Sequence, residues 1–181
     1  ILMYVFIDAQ YAAGTGIVSS APRTVLKQQA TFTCPDIAIA ANADLLRAVR
    51  ASASEADVVL ASELFLTGYP PEDLVLKRAF LARVQSEVDQ LVKDTADGGP
   101  ALVFGAPMVE NGQLYNSVVV ADGGQMAVRH KHHLPNYAVF DEKRLFAAGP
   151  LPKAVELRGV RVGLPICEDI WFEDVCAQLK A

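Results

Sequence analysis

Short apolar runs bounded by polar or turn residues recur along this chain at residues 4–8, 57–61, 101–106 and 160–166. Continuous runs of this length are the form taken by strands covered on both faces. Ahead of the second run, Leu45, Leu46 and Val49 recur at helical spacing with Arg47 and Arg50 off the stripe, which predicts an amphipathic helix over residues 43–54 with Asn42 as its cap. Thr67-Gly68-Tyr69-Pro70-Pro71 reads as a turn. Leu74, Ala79, Leu81, Val84, Val88 and Leu91 then trace one long helix over residues 72–93. Residues 115–121 and 126–131 face one another across Asp122-Gly123-Gly124-Gln125, a hairpin signal, and residues 172–179 suit a last short helix. Residues 12–22 have weak periodicity and predict no element.

Strands alternating with helices predict an α/β sheet in a single domain, and in such sheets reactive groups collect at the carboxyl ends of the strands. Three run ends carry chemistry: Glu63 follows residues 57–61, Lys131 closes the second hairpin strand, and Cys167 follows residues 160–166. Each has a bland reading alone: a small buried thiol, a capping carboxylate, a solvated lysine. Together they make a set for attacking an amide. A thiol is mostly protonated at neutral pH and an amide carbonyl is a poor electrophile, so the attack needs a base and an oxyanion partner. Glu63 suits the base, first for the thiol and later for the hydrolytic water. Lys131 and the backbone N–H of Glu168 suit the oxyanion.

Composition narrows the partners. With 52% hydrophobic and 20% charged residues, the 181-residue chain is globular, and a net charge of −5 gives no reason to expect nucleic acid or an anionic membrane. The apolar start ends at Asp8 with no basic residue before it, so neither a signal peptide nor a membrane span is expected. The chain begins with Ile1, which fits a processed or incomplete product. Three cysteines, Cys34, Cys167 and Cys176, are too few for a disulfide framework and point to a reducing, cytoplasmic setting, with Cys34 and Cys176 structural. His132 and His133 are adjacent and would point to opposite faces of an extended segment, so no metal site is expected.

The three residues resemble the Glu, Lys, Cys triad of the nitrilase superfamily, whose members are α-β-β-α sandwiches. The segments 62–74, 133–146 and 166–171 look more narrowly like the glutaminase domain of glutamine-dependent NAD+ synthetases, the likeness running from about Asn42 to the end of the chain. That resemblance implies Glu63 as general base, Lys131 as oxyanion stabiliser and Cys167 as nucleophile. It carries glutamine contacts to Tyr69, Tyr137, Phe140, Glu142 and Glu168, with Glu142 also orienting Lys131; a carboxylate near the ammonium of glutamine is electrostatically sensible. It implies hydrolysis of the side-chain amide through a Cys thioester, with ammonia passed to a synthetase domain of the same protein. There ATP and magnesium would drive amidation of nicotinic acid adenine dinucleotide. It also implies a homo-oligomer.

Residues 1–41 match that pattern poorly, and the family's sandwich continues with further strands and the synthetase domain. Residues 1–181 are therefore expected to form the N-terminal portion of a carbon–nitrogen hydrolase domain, incomplete at its C-terminal side, and not to make NAD+ alone. Gly14-Thr15-Gly16 lacks the lysine of a phosphate loop. Two other readings stand beside this one: a stand-alone amidase or carbamoylase of the same superfamily, and an inactive fragment that serves assembly.

Overall fold

The computed structural model describes residues 2–4, 25–28, 35–53 and 55–181. Two sheets stack face to face. Strands β1 (Leu2–Tyr4), β8 (Val160–Gly163) and β7 (Val155–Leu157) make one, in the order β1-β8-β7. The other runs β2-β3-β4-β5-β6, from β2 (Val25–Gln28), β3 (Val58–Ala61), β4 (Ala101–Glu110), β5 (Gln113–Asp122) and β6 (Gln125–His130). Its β2-β3-β4 portion is parallel and its β4-β5-β6 portion antiparallel.

The two-residue period of the strands sorts the layers. Val59, Ala61, Leu102, Phe104, Val119 and Ala121 share one core with the helices α1 (Pro35–Ser52) and α2 (Arg78–Asp94). Their neighbours Val58, Leu60, Ala101, Val103, Val118 and Val120 share a second core with Val155, Leu157 and Val162 of the smaller sheet and with Leu164 and Ile166 just beyond it. Both faces of β3 and of the first part of β4 are thus buried, which is why those segments read as unbroken apolar runs. The helices α3 (Glu142–Leu145) and α4 (Glu173–Lys180) flank the site end of the molecule. Among the described residues no helix is long and apolar enough to cross a membrane.

Several expectations change. Asn42 does not cap a helix: α1 begins at Pro35, and Asn42 lies buried inside it, donating from Nδ2 to the carbonyl of Phe65 at 2.9 Å. Nor is Arg50 a solvated side chain. It is buried, with its guanidinium on the Pro100 carbonyl and the Asp97 carboxylate. The long helix over residues 72–93 is two pieces, a 3₁₀ turn at Glu72–Leu76 and then α2, because Lys77 between them is extended at φ −88°, ψ 118°. β4 outruns residues 101–106 and forms a hairpin with β5 across Asn111-Gly112, both with positive φ. β7 and β8 pair likewise across Arg158-Gly159. These are the two-residue turns in which Asn and Gly tolerate left-handed backbone. The run at 4–8 is described only at Tyr4, the last residue of β1; the remainder of it, residues 12–22 and Cys34 lie outside the described residues.

Candidate active site

Glu63 sits just beyond β3, in the segment that leaves the sheet over β4. The crossing is close: a Cβ on Gly105 would lie 2.2 Å from the Leu64 nitrogen and 2.6 Å from the Ser62 carbonyl oxygen. Only glycine leaves the room. Backbone bonds from Gly105 N–H to the Ser62 carbonyl (3.1 Å) and from Leu66 N–H to the Gly105 carbonyl (3.0 Å) fix the crossing, and Asn42 holds the segment from the helix side. Glu63 is consequently held in the interior, 1% exposed.

Lys131 is the first residue beyond β6 and is fully buried. Its N–H donates to the Asn116 carbonyl and its carbonyl accepts from Gly149 N–H, both at 2.8 Å. The ammonium donates to Glu63 Oε1 at 2.7 Å and to Glu142 Oε1 at 2.9 Å. Asn116 Nδ2 donates to the same Glu63 oxygen at 2.8 Å. The other carboxylate oxygens, Glu63 Oε2 and Glu142 Oε2, have no hydrogen-bond partner among the described residues although both are buried. A buried acceptor without a protein partner is unusual. Glu63 therefore has one oxygen tied down and one able to accept a proton.

The charge balance follows from one cation between two acids. Burial alone would strip Lys131 of its proton, but the fields of Glu63 and Glu142 outweigh it and raise its pKa above the ordinary lysine value. Burial, opposed by Lys131 and reinforced by the like charge of Glu63, pushes the Glu142 carboxyl up to about 7. The Tyr69 phenol is held protonated by burial and by the same two acids. Cys167 lies near enough to couple electrostatically to both Lys131 and Tyr69, which brings it to the same cluster.

Cys167 opens the 3₁₀ turn Cys167–Trp171 with φ 44°, a left-handed conformation that costs an L-residue roughly 1–2 kcal/mol. The turn is held by Asp169, buried to 1% exposure: its Oδ2 accepts from Ile166 N–H at 3.1 Å and its Oδ1 from the N–H groups of His132 (3.1 Å) and His133 (2.8 Å). One carboxylate thus links the cysteine turn to the segment after Lys131.

A cleft of about 320 Å³ opens beside the cluster, lined by Tyr69, Pro70, Val139, Phe140 and Glu142 among others. That is the size of a small-ligand site. The Tyr137 hydroxyl donates to Glu168 Oε2 at 2.9 Å, and the Tyr137 and Phe140 rings meet edge to face at 5.6 Å. All eight residues singled out from sequence are therefore clustered at this end of the molecule.

Sequence reasoning passed over Gly105, Asn116 and Asp169. Asn116 and Asp169 stand inside recognised segments, but only the fold aims their side chains at the cluster; the signal for Gly105 was a glycine inside an otherwise apolar strand. It also missed a chain of contacts behind Lys131 that runs from the interior to the surface, from Ser117 Oγ to His130 Nδ1 (2.8 Å) and from His130 Nε2 to the exposed Glu110 (2.6 Å). With Ser117 only 1% exposed, this chain clamps β5 to β6 and, through Glu110, to the end of β4.

Residues 25–181 match the family model for carbon-nitrogen hydrolases. The chain belongs to the carbon-nitrogen hydrolase family. It is 44% identical over 147 residues to the glutamine-dependent NAD(+) synthetase of Rhodobacter capsulatus, covering 80% of this chain and 26% of that one. The solved glutamine-dependent NAD+ synthetase of Acinetobacter baumannii superposes with a TM-score of 0.70 at 39% identity over 78% of this chain and 27% of its own. An amidase from Nesterenkonia sp. AN1, solved with acrylamide added at its active-site cysteine, superposes at 0.69 with 26% identity, over 83% of this chain and 59% of its own. The chain spans about a quarter of the length of the curated NAD(+) synthetases it matches. The layered sheets are the nitrilase-like arrangement that the triad resemblance implies.

Proposed function

We propose that this chain is the glutaminase part of a glutamine-dependent NAD+ synthetase, hydrolysing the side-chain amide of glutamine through a thioester on Cys167. The observation that carries the reading is the buried Glu63–Lys131–Glu142 cluster, with one Glu63 oxygen that none of the described residues bonds, set beside a cysteine in a left-handed turn.

Glu63 Oε2 takes the thiol proton as sulfur attacks the amide carbon, and a C–S bond forms while the carbonyl electrons move onto oxygen. That oxyanion meets the Lys131 ammonium and the backbone N–H of Glu168, since the first N–H groups of a helical turn lack intrahelical partners. On collapse the C–N bond breaks, and the proton held by Glu63 leaves with nitrogen as ammonia. Water then attacks the thioester, Glu63 takes its proton, and glutamate departs as that proton returns to sulfur. Glu142 holds Lys131 in place from the other side. Tyr69, Tyr137 and Phe140 wall the substrate, and Glu168 and Glu142 give the acidic surroundings that an amino acid's ammonium favours.

In the whole protein the ammonia would pass to a synthetase domain that amidates nicotinic acid adenine dinucleotide. ATP and magnesium belong, in this proposal, to residues outside the present sequence, and no step above passes through them. A reducing compartment such as the cytoplasm, which keeps a thiol nucleophile from oxidation, belongs to the same proposal. The likeness to the Nesterenkonia amidase supports a second reading, a stand-alone amidase. Ammonia release from glutamine, from short aliphatic amides and from N-carbamoyl compounds separates the two. Preference for glutamine, lost in Cys167→Ala, supports the glutaminase; preference for the simple amides transfers the assignment to the amidase; no turnover of any of them leaves an assembly fragment.

A further inference from the structure

His132 and His133 follow Lys131 but have no part in the amide chemistry. An extended segment would send them to opposite faces; here the chain bends, and their rings meet edge to face with centroids 4.6 Å apart. Asp174, in the first turn of α4, reaches both. Its Oδ1 lies 2.9 Å from His133 Nε2 and its Oδ2 3.9 Å from His132 Nε2. One ligand atom from each of the three side chains falls within 4.8 Å of the others.

The rings are also fixed from behind. His132 Nδ1 is 2.6 Å from the Gly149 carbonyl, and a carbonyl only accepts, so Nδ1 carries the hydrogen. In a neutral imidazole the lone pair is then on Nε2, which faces a carboxylate oxygen. Two acceptors face each other, an arrangement that calls for a proton or a cation between them. A backbone carbonyl holding the far nitrogen is the usual support of a metal-bound histidine. His133 is steadied by its ring stacked on Phe172, with centroids 3.7 Å apart.

We propose that His132, His133 and Asp174 form a binding site for a divalent transition ion of the zinc type, with two imidazole nitrogens and one carboxylate oxygen as ligands and water completing a tetrahedron. Imidazole and carboxylate donors suit zinc, and its bond lengths near 2.0–2.1 Å put tetrahedral ligand atoms roughly 3.3 Å apart. Asp174 Oδ2 lies 3.1 Å from His133 Nε2 and 3.9 Å from His132 Nε2, separations that bracket that value, so small side-chain rotations complete the site. The ion would tie the segment after Lys131 to the helix that follows the Cys167 turn, alongside the link that Asp169 makes. Its role is to brace two of the three catalytic positions, not to polarise the amide.

The test uses the tag-free 181-residue chain carrying Cys167→Ala, so that the nucleophilic thiol is not a competing ligand. The protein is stripped with chelator and titrated with zinc chloride by calorimetry, while circular dichroism confirms that each variant is folded. One zinc per chain is expected, with a rise in Tm. His133→Ala and Asp174→Asn should each weaken binding at least about tenfold and remove most of that rise. Cobalt(II) in place of zinc should give the visible d–d absorption of a tetrahedral site, reduced in both variants. Absence of zinc uptake, or uptake unaltered in both variants, overturns the proposal.

Discussion

Glu142 offers a quantitative test of how the buried cluster is charged. Its carboxyl is pushed up to about 7 from an ordinary 4.5, because burial and the nearby Glu63 outweigh the attraction of Lys131. The folded protein therefore keeps a proton there that the unfolded chain has lost. Stability from this group is full below pH 4.5 and is gone once pH has risen through 7. At about 1.4 kcal/mol per pH unit, that interval corresponds to about 3 kcal/mol. Glu142→Gln preserves the shape and an acceptor for Lys131 but cannot ionise, so it lacks this loss. Urea unfolding of both proteins at a series of pH values from 4.5 to 8.5 measures the effect. The difference in unfolding free energy should move toward the variant by about 3 kcal/mol as pH rises across that range. A difference that stays constant with pH would refute the charge assignment.

Other substitutions probe the same framework. Lys131→Met leaves two buried carboxylates without their cation; it should destabilise the fold by roughly 3–5 kcal/mol in urea unfolding at pH 8 and lower glutamine turnover at least 100-fold. Gly105→Ala places a methyl group 2.2 Å from the Leu64 nitrogen, so a loss of about 3 kcal/mol or more is expected, and a loss below about 1 kcal/mol would show that the Glu63 crossing is not fixed as described. Asp169→Ala removes the acceptor of three backbone N–H groups and should cost roughly 2–4 kcal/mol, with hydrogen exchange accelerated at residues 132, 133 and 166.

Much of this site was legible in the sequence because its chemistry lies where strands end. Glu63 and Cys167 each follow a run whose apolar character comes from burial on both faces, and Lys131 closes a strand that the Gly123-Gly124 turn betrays. The hairpins at Asn111-Gly112 and Arg158-Gly159 were harder, one hidden inside a longer apolar stretch and the other joining strands of only three and four residues. Asn42 and Arg50 misled for a shared reason. Polar residues at those positions ordinarily cap or face water, whereas here each is buried against backbone carbonyls of a distant segment, a partnership that no local pattern encodes. Adjacent histidines likewise diverge only on an extended chain, and the bend after Lys131 depends on Asp169, more than thirty residues away.

Trapping of the nucleophile tests the central claim most directly. The chain is incubated with a glutamine analogue carrying an electrophile at its side-chain carbon, and its intact mass and peptide map are measured by mass spectrometry. One adduct per chain on Cys167 is expected, lost in Cys167→Ala and formed far more slowly in Glu63→Gln. Modification of Cys34 or Cys176 in its place, or labelling of Cys167 at the same rate without the Glu63 carboxylate, would contradict the account.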